Sequence, residues 1–159
     1  KVDIKNHFSY TTKRILTKER NTIMILIICT EDRWGMAFNG RRLSMDRAVR
    51  EKMLEIAAGK TLWMSGYSRK QFEEEEKEPI RVDDRFLEKA GKGEYCFAEL
   101  EDVTSYGDRL EGIILFRWNR RYPADQYFDP ELLKSFHLVK TEEFPGRSHE
   151  KITMEVYSL

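Results

Sequence analysis

Apolar positions along this chain fall into short blocks, and the spacing within each block names an element. Met24–Thr30 is a continuous apolar run of strand length, the pattern of a central strand covered on both faces. Residues 31–40 break the run with Asp32, Gly35 and Asn39-Gly40, and read as a loop. Ser44 is a favourable N-cap for the next element. Met45, Val49, Met53 and Ile56 then recur on one face at helical spacing, and Gly59 supplies the stop. That stripe predicts a helix packed on the core.

The remaining blocks are shorter. Residues 61–65 predict a second strand, and residues 68–77 a polar helix whose acidic run at 73–76 is a solvated face. Pro79 ends that helix, Ile80–Val82 reads as a short strand, and residues 83–90 as a helix closed by Gly91. Residues 94–99 and 112–118 predict two more strands, and Pro123 and Pro130 bracket a loop. Residues 135–142 and 151–157 alternate as strands about a Phe-Pro-Gly-Arg-Ser turn, which predicts an antiparallel hairpin. Strand–helix–strand units followed by a hairpin give an α/β fold: a mixed, mostly parallel sheet flanked by helices. Residues 24–159 are expected to form a single domain.

Residues 1–22 do not share this patterning. Lys1, Lys5, Lys13, Arg14, Lys18 and Arg20 face only Asp3 and Glu19, and no apolar period runs through them. Lys18-Glu19-Arg20 can be encoded AAG-GAG-AGG, a purine-rich ribosome-binding sequence placed shortly before the Met24 codon. The expectation is a bacterial protein initiated at Met24, with residues 1–23 a non-native stretch. The alternative is a basic arm that contacts a neighbouring chain.

Composition narrows the function. Lys plus Arg and Asp plus Glu both total 28, so the net charge is zero. A general nucleic-acid binder needs a basic excess, so that class is disfavoured. The only cysteines, Cys29 and Cys96, sit in apolar runs and read as buried free thiols. No CxxC or HxxxH spacing supports a metal site. No apolar stretch approaches the roughly 20 residues of a membrane span, and the expectation is a soluble, cytoplasmic protein.

Several residues carry a family resemblance. Gly35 and Asn39-Gly40 follow the first strand, and Gly59-Lys60-Thr-Leu-Trp-Met64-Ser65 has the form Gly-Lys-x-x-x-Met-x. Tyr67-Ser68 opens the next helix, and Glu142-Glu143 with Thr153-x-Glu155-Val156-Tyr157 sits in the last two strands. This order resembles dihydrofolate reductase over residues 24–159. The resemblance implies a doubly covered sheet, an acidic group on the first helix and a nicotinamide cofactor. Counting back from the Lys60–Met64 segment, Val49 falls where the family's carboxylate stands, and Asp46 lies one helical turn earlier. Where the family has a Gly-Gly turn for the cofactor's phosphates, Tyr95-Cys96-Phe97-Ala98 runs into Glu99, Glu101 and Asp102. Gly66 stands at the place of a cofactor-contacting Arg. These departures disfavour NADPH, so the expectation is no cofactor. The chain is also similar to short bacterial proteins labelled ribonuclease Z, but His7, His137 and His149 are too scattered to form that enzyme's clustered zinc motif.

Two arginine clusters remain, Arg41-Arg42 with Arg47 and Arg117 with Arg120-Arg121, near Trp34, Trp118 and Tyr122. They read first as surface charges paired with carboxylates, and otherwise as phosphate-binding or base-stacking groups. Ser65 with His137 or His149 would be a nucleophile and base, but no GxSxG elbow accompanies it. Residues 146–151 read as a plain hairpin loop. In a sheet wound this way ligands sit beyond the carboxyl ends of the parallel strands. The candidate cleft is therefore Trp34, Asn39, Arg42, Asp46, Arg47, Ser65 and Tyr67, with Asp46 kept ionised by Arg42 or Arg47. No catalytic residue is assigned. The leading expectation is a non-catalytic reductase-like domain that binds a small molecule or protein. The alternatives are an NADPH-dependent oxidoreductase acting on a pterin-like substrate and a nucleic-acid-associated protein.

Overall fold

The computed structural model describes residues 23–73 and 78–159. The expectations for the arm at residues 1–22 and for most of the acidic run at 73–76 lie outside the described residues.

The apolar run Met24–Thr30 forms β1, near the middle of a seven-stranded sheet, and its residues Met24–Ile28 are 0–1% exposed. After it come β2 (Gly35–Phe38) and β3 (Arg41–Arg42), helix α1 (Arg47–Ala57) and β4 (Leu62–Met64). A single helical turn, α2 (Gly66–Arg69), runs into a 3₁₀ turn at Lys70–Phe72. Strand β5 (Ile80–Val82), the short helix α3 (Phe86–Lys89) and β6 (Tyr95–Phe97) follow. The chain closes with β7 (Leu110–Arg117), β8 (Gln126–Tyr127), β9 (His137–Phe144) and β10 (Ile152–Ser158).

The large sheet has the order β5-β4-β6-β1-β7-β10-β9. The pairs β4–β5, β4–β6, β1–β6 and β1–β7 are parallel, and β10 pairs antiparallel with both β7 and β9. This is the mixed, mostly parallel sheet with a terminal hairpin that the sequence predicts. Alternate β1 side chains divide the core. Ile25 and Ile27 pack with Val49, Met53, Ile56 and Phe72 on the α1 face, while Met24, Leu26 and Ile28 pack with Phe86, Leu87, Phe128 and Phe136 on the other. Each buried side chain of α1 contributes about 1.5–3 kcal/mol, so the helix is held by packing.

Four local expectations are corrected. The stretch 31–40 is not wholly loop: β2 and β3 form a hairpin closed by Asn39 and Gly40, both at positive φ (52° and 70°), with Ala37 opposite Arg42. That is the geometry of a tight two-residue turn. Strand β8, inside the expected Pro123–Pro130 loop, adds to the other side of β2 and completes a second, three-stranded sheet. The N-cap of α1 is Asp46, whose side chain accepts from the Ala48 N–H, and not Ser44. Met45 therefore precedes the helix and is 51% exposed, leaving the stripe to Val49, Met53 and Ile56.

Candidate functional site

The carboxyl ends of the parallel strands meet along one edge: β1 at Thr30, β4 at Met64, β6 at Phe97 and β7 at Arg117. Residues just past those ends form two polar clusters and one pocket.

The first cluster centres on Glu99, 8% exposed and two residues beyond β6. Its carboxylate accepts a two-point bond from Arg42, from Nε at 2.9 Å and Nη2 at 3.0 Å. The Ser68 hydroxyl donates to it at 2.8 Å and the Gln71 amide at 3.0 Å. Arg42 also stacks over the Tyr67 ring at 4.3 Å, and its backbone N–H donates to the Tyr67 hydroxyl. Burial opposes the charged guanidinium, but the bond and charge of Glu99 outweigh it and raise the Arg42 pKa. Ser65 caps α2 by accepting from the Ser68 N–H at 3.2 Å, and so positions the Ser68 hydroxyl. Together these residues form a closed ion pair with its donors already placed.

The second cluster centres on Asp46, 3% exposed, and is closed by the β9–β10 connection. Oδ1 caps α1 through the Ala48 N–H at 2.8 Å. The Arg147 N–H bridges both oxygens at 3.0 Å, and Oδ2 also takes the Ser148 N–H at 2.8 Å. The Ser148 hydroxyl and His149 Nδ1 each lie 3.0 Å from Oδ2. An ionised carboxylate only accepts, so Nδ1 carries the hydrogen. Burial alone would raise the Asp46 pKa, but the N–H groups of Arg147, Ser148 and Ala48 and the His149 imidazole hold it well below its ordinary value. That lowering favours the expected ionised state, but its causes do not include Arg42 or Arg47. His149 stacks on Trp118 at 4.5 Å, and its Nε2 faces the hydroxyls of Ser44 at 3.1 Å and Tyr122 at 3.0 Å. Residues 146–151 thus dock onto the start of α1 and are more than a plain loop. Gly146 makes this approach feasible, since a Cβ there would lie 2.6 Å from Asp46 Oδ2.

Ser44, His149 and Asp46 stand in the order nucleophile, base, orienting carboxylate. Here His149 and Asp46 side chains are 2% and 0% exposed, and Tyr122 shares Nε2. The arrangement works as a latch between hairpin and helix. Burial pushes the Cys96 thiol up to about 12 and the partly exposed Cys29 thiol well above its ordinary value, which disfavours the thiolate form of both. Among the described residues, no three His, Cys, Asp or Glu side chains come together to hold a metal.

The seven cleft candidates separate. Arg42, Ser65 and Tyr67 gather around Glu99, and Asp46 belongs to the His149 cluster. Trp34 packs on the opposite sheet face, against Phe128 and beneath Arg117. Asn39 sits in the β2–β3 turn with its N–H on Asp125, and Arg47 lies in solvent beside Glu51 at 3.8 Å. Val49 is 1% exposed in the core. Of the six arginines in the two clusters, Arg42, Arg47 and Arg117 pair with carboxylates, those of Glu99, Glu51 and Glu155. The pairings of Glu99 with Arg42 and of His149 with Asp46 are not legible in the sequence, because 57 and 103 residues separate the paired positions and no local pattern links them.

The third feature is a pocket of about 410 Å³ between the β1–β2 turn and residues 121–127, lined by Glu31, Arg33, Phe38, Arg121, Tyr122 and Tyr127 among others.

Among the described residues, no helix is long and apolar enough to cross a membrane. No protein-family model and no curated protein matches the chain. Solved structures do match it. One is dihydrofolate reductase from Enterococcus faecalis, complexed with NADP(H) and RAB-propyl, at a TM-score of 0.58 and 8% identity, covering 87% of this chain and 96% of that one. The Enterococcus structure contains NADP(H), a dinucleotide with a pyrophosphate. A pyrophosphate needs free N–H donors and positive charge at the end of β6. This chain places the Glu99 carboxylate there and uses Arg42, Ser68 and Gln71 to satisfy it. The residues present do not fit a dinucleotide at that position. What the chain shares with the Enterococcus enzyme is a dihydrofolate reductase-like fold.

Proposed function

We propose that this protein is a ligand-binding domain built on the reductase-like fold, without hydride-transfer chemistry. One observation carries the reading: Glu99, at the end of β6, is held by Arg42, Ser68 and Gln71. Admitting an anionic cofactor would break a partly buried, two-point ion pair and bring phosphate against a carboxylate. Each step is unfavourable by several kcal/mol in order of magnitude. Asp46 supports the same reading. A proton donor in reductase chemistry needs a raised pKa and access to substrate, and this carboxylate is buried, ionised and saturated with donors.

The test is a thermal-shift screen with NADPH, folates, nucleotides and small aromatic anions. A ligand that binds only the folded state stabilises it by about 2.7 kcal/mol at a hundredfold excess over Kd. A shift with a small ligand and none with NADPH or folates is the expected result. A shift with NADPH that grows further on adding folate would contradict the proposal.

A further inference from the structure

We infer that the pocket between the β1–β2 turn and residues 121–127 is a binding site for a small planar aromatic ring carrying a phosphate or carboxylate. The inference rests on the ligand-binding reading and names its ligand class and its place.

Four observations converge there. The pocket, at about 410 Å³, falls within the range of small-molecule sites. Phe38 and Tyr127, two of the large hydrophobic side chains left exposed, at 48% and 55%, both line it. Exposed rings in a pocket lining offer stacking surface. Arg33 and Arg121 line the same pocket, are exposed, and form no ion pair among the described residues. Arg42, Arg47, Arg85, Arg117 and Arg147 are all paired with carboxylates. A guanidinium presents a planar fork that fits phosphate or carboxylate.

The fourth observation is the turn that presents Arg33. Trp34 has φ +72°, a left-handed conformation that a bulky residue adopts at a cost. Glu31 holds it there, accepting from the Arg33 N–H at 2.8 Å and the Gly35 N–H at 2.7 Å through one carboxylate oxygen. Its other oxygen faces the Tyr122 N–H at 3.4 Å, which ties the turn to the opposite wall. Gly35 admits no side chain, since a Cβ would lie 2.5 Å from Ala124 Cβ. Both walls are thus fixed by one buried carboxylate. Among the described residues Glu31 is the one acidic group in the lining; at 2% exposure its oxygens are already engaged by backbone N–H groups, so the charge left available in the lining is that of Arg33 and Arg121.

The test is calorimetric titration of the full chain with phenyl phosphate, inorganic phosphate and phenol. Phenyl phosphate is expected to bind at least about tenfold more tightly than either half, because ring and anion engage different side chains of the lining. The double variant Arg33→Ala/Arg121→Ala and the single variant Phe38→Ala are each expected to weaken it by about tenfold. All three side chains are exposed, so melting stays unchanged, and Arg85→Ala serves as a distant control. Equal affinity for phenyl phosphate and inorganic phosphate, or wild-type affinity in the double variant, would overturn the site. NADPH bound equally well by wild type and the double variant would instead overturn the functional reading, since that cofactor would be sitting elsewhere.

Discussion

Asp46 Oδ2 and His149 Nδ1 lie 3.0 Å apart, joining residues 103 positions apart in the chain. That contact ties the tip of the β9–β10 hairpin to the first turn of α1. It also decides what Asp46 can do, because a carboxylate with five donors has neither a proton to give nor room to take a ligand.

Replacing Asp46 with Asn removes the charge while leaving the buried donors in place. Breaking such a buried pair costs about 3–5 kcal/mol, and urea denaturation at neutral pH should show a loss of that order. The folded-state pKa of Asp46 is depressed. Its contribution is therefore present above the ordinary carboxylate range and is lost as pH falls through the folded value. The gap between wild type and Asp46→Asn should narrow in acid; a constant gap would show that the charge contributes nothing.

Gly146→Ala tests the same latch from the other side. The added methyl would meet Asp46 Oδ2 at 2.6 Å, the His149 carbonyl at 2.7 Å and Ile152 Cδ1 at 2.8 Å. Overpacking of this kind costs about 1–3 kcal/mol. Unchanged stability would mean the hairpin tip does not dock as described.

A double-mutant cycle on Arg42→Met and Glu99→Gln measures how tightly the end of β6 is closed. The side chains are 19% and 7% exposed and share two bonds. Coupling of about 1.5–3 kcal/mol is expected for such a pair. A value below about 0.5 kcal/mol, typical of a surface pair, would leave the site open to an anion.

Glu111 supplies a separate pH signature. Burial in β7 pushes its carboxyl up to about 7, against the lowering influence of Lys60, the Gly93 N–H and Lys92. Between the ordinary value of 4.5 and about 7, the folded state holds a proton that the unfolded chain releases. Stability should therefore fall as pH rises through that window and level off above it. Glu111→Gln should lack this fall, and parallel stability curves for the two proteins would refute the assignment.

How legible the molecule is in its sequence depends on the range of the interactions. Met24–Thr30 announces β1 because both faces are covered, and the stripe Val49, Met53, Ile56 announces α1 because one face is. Strands β2 and β3 are hidden because four and two residues carry too little period, although Asn39-Gly40 between them is a hairpin turn that can be recognised. Ser44 and Asp46 are both good caps, and sequence alone does not show that His149 draws the Ser44 hydroxyl away. The acidity of Glu99 is legible as a barrier to phosphate. Its bond to Arg42, 57 residues distant, is not, since it depends on where the small sheet that carries β3 places Arg42 relative to the chain beyond β6.

Whether the end of β6 is closed to a dinucleotide is decided by calorimetric titration of NADPH into the full chain, followed by absorbance at the nicotinamide band with dihydrofolate present. Enzymes of this kind work with Michaelis constants of about 1 μM to 1 mM. A closed β6 end predicts no saturable heat up to about 1 mM NADPH and no loss of nicotinamide absorbance. Saturable binding in the micromolar range, with NADPH consumed when dihydrofolate is added, would contradict it.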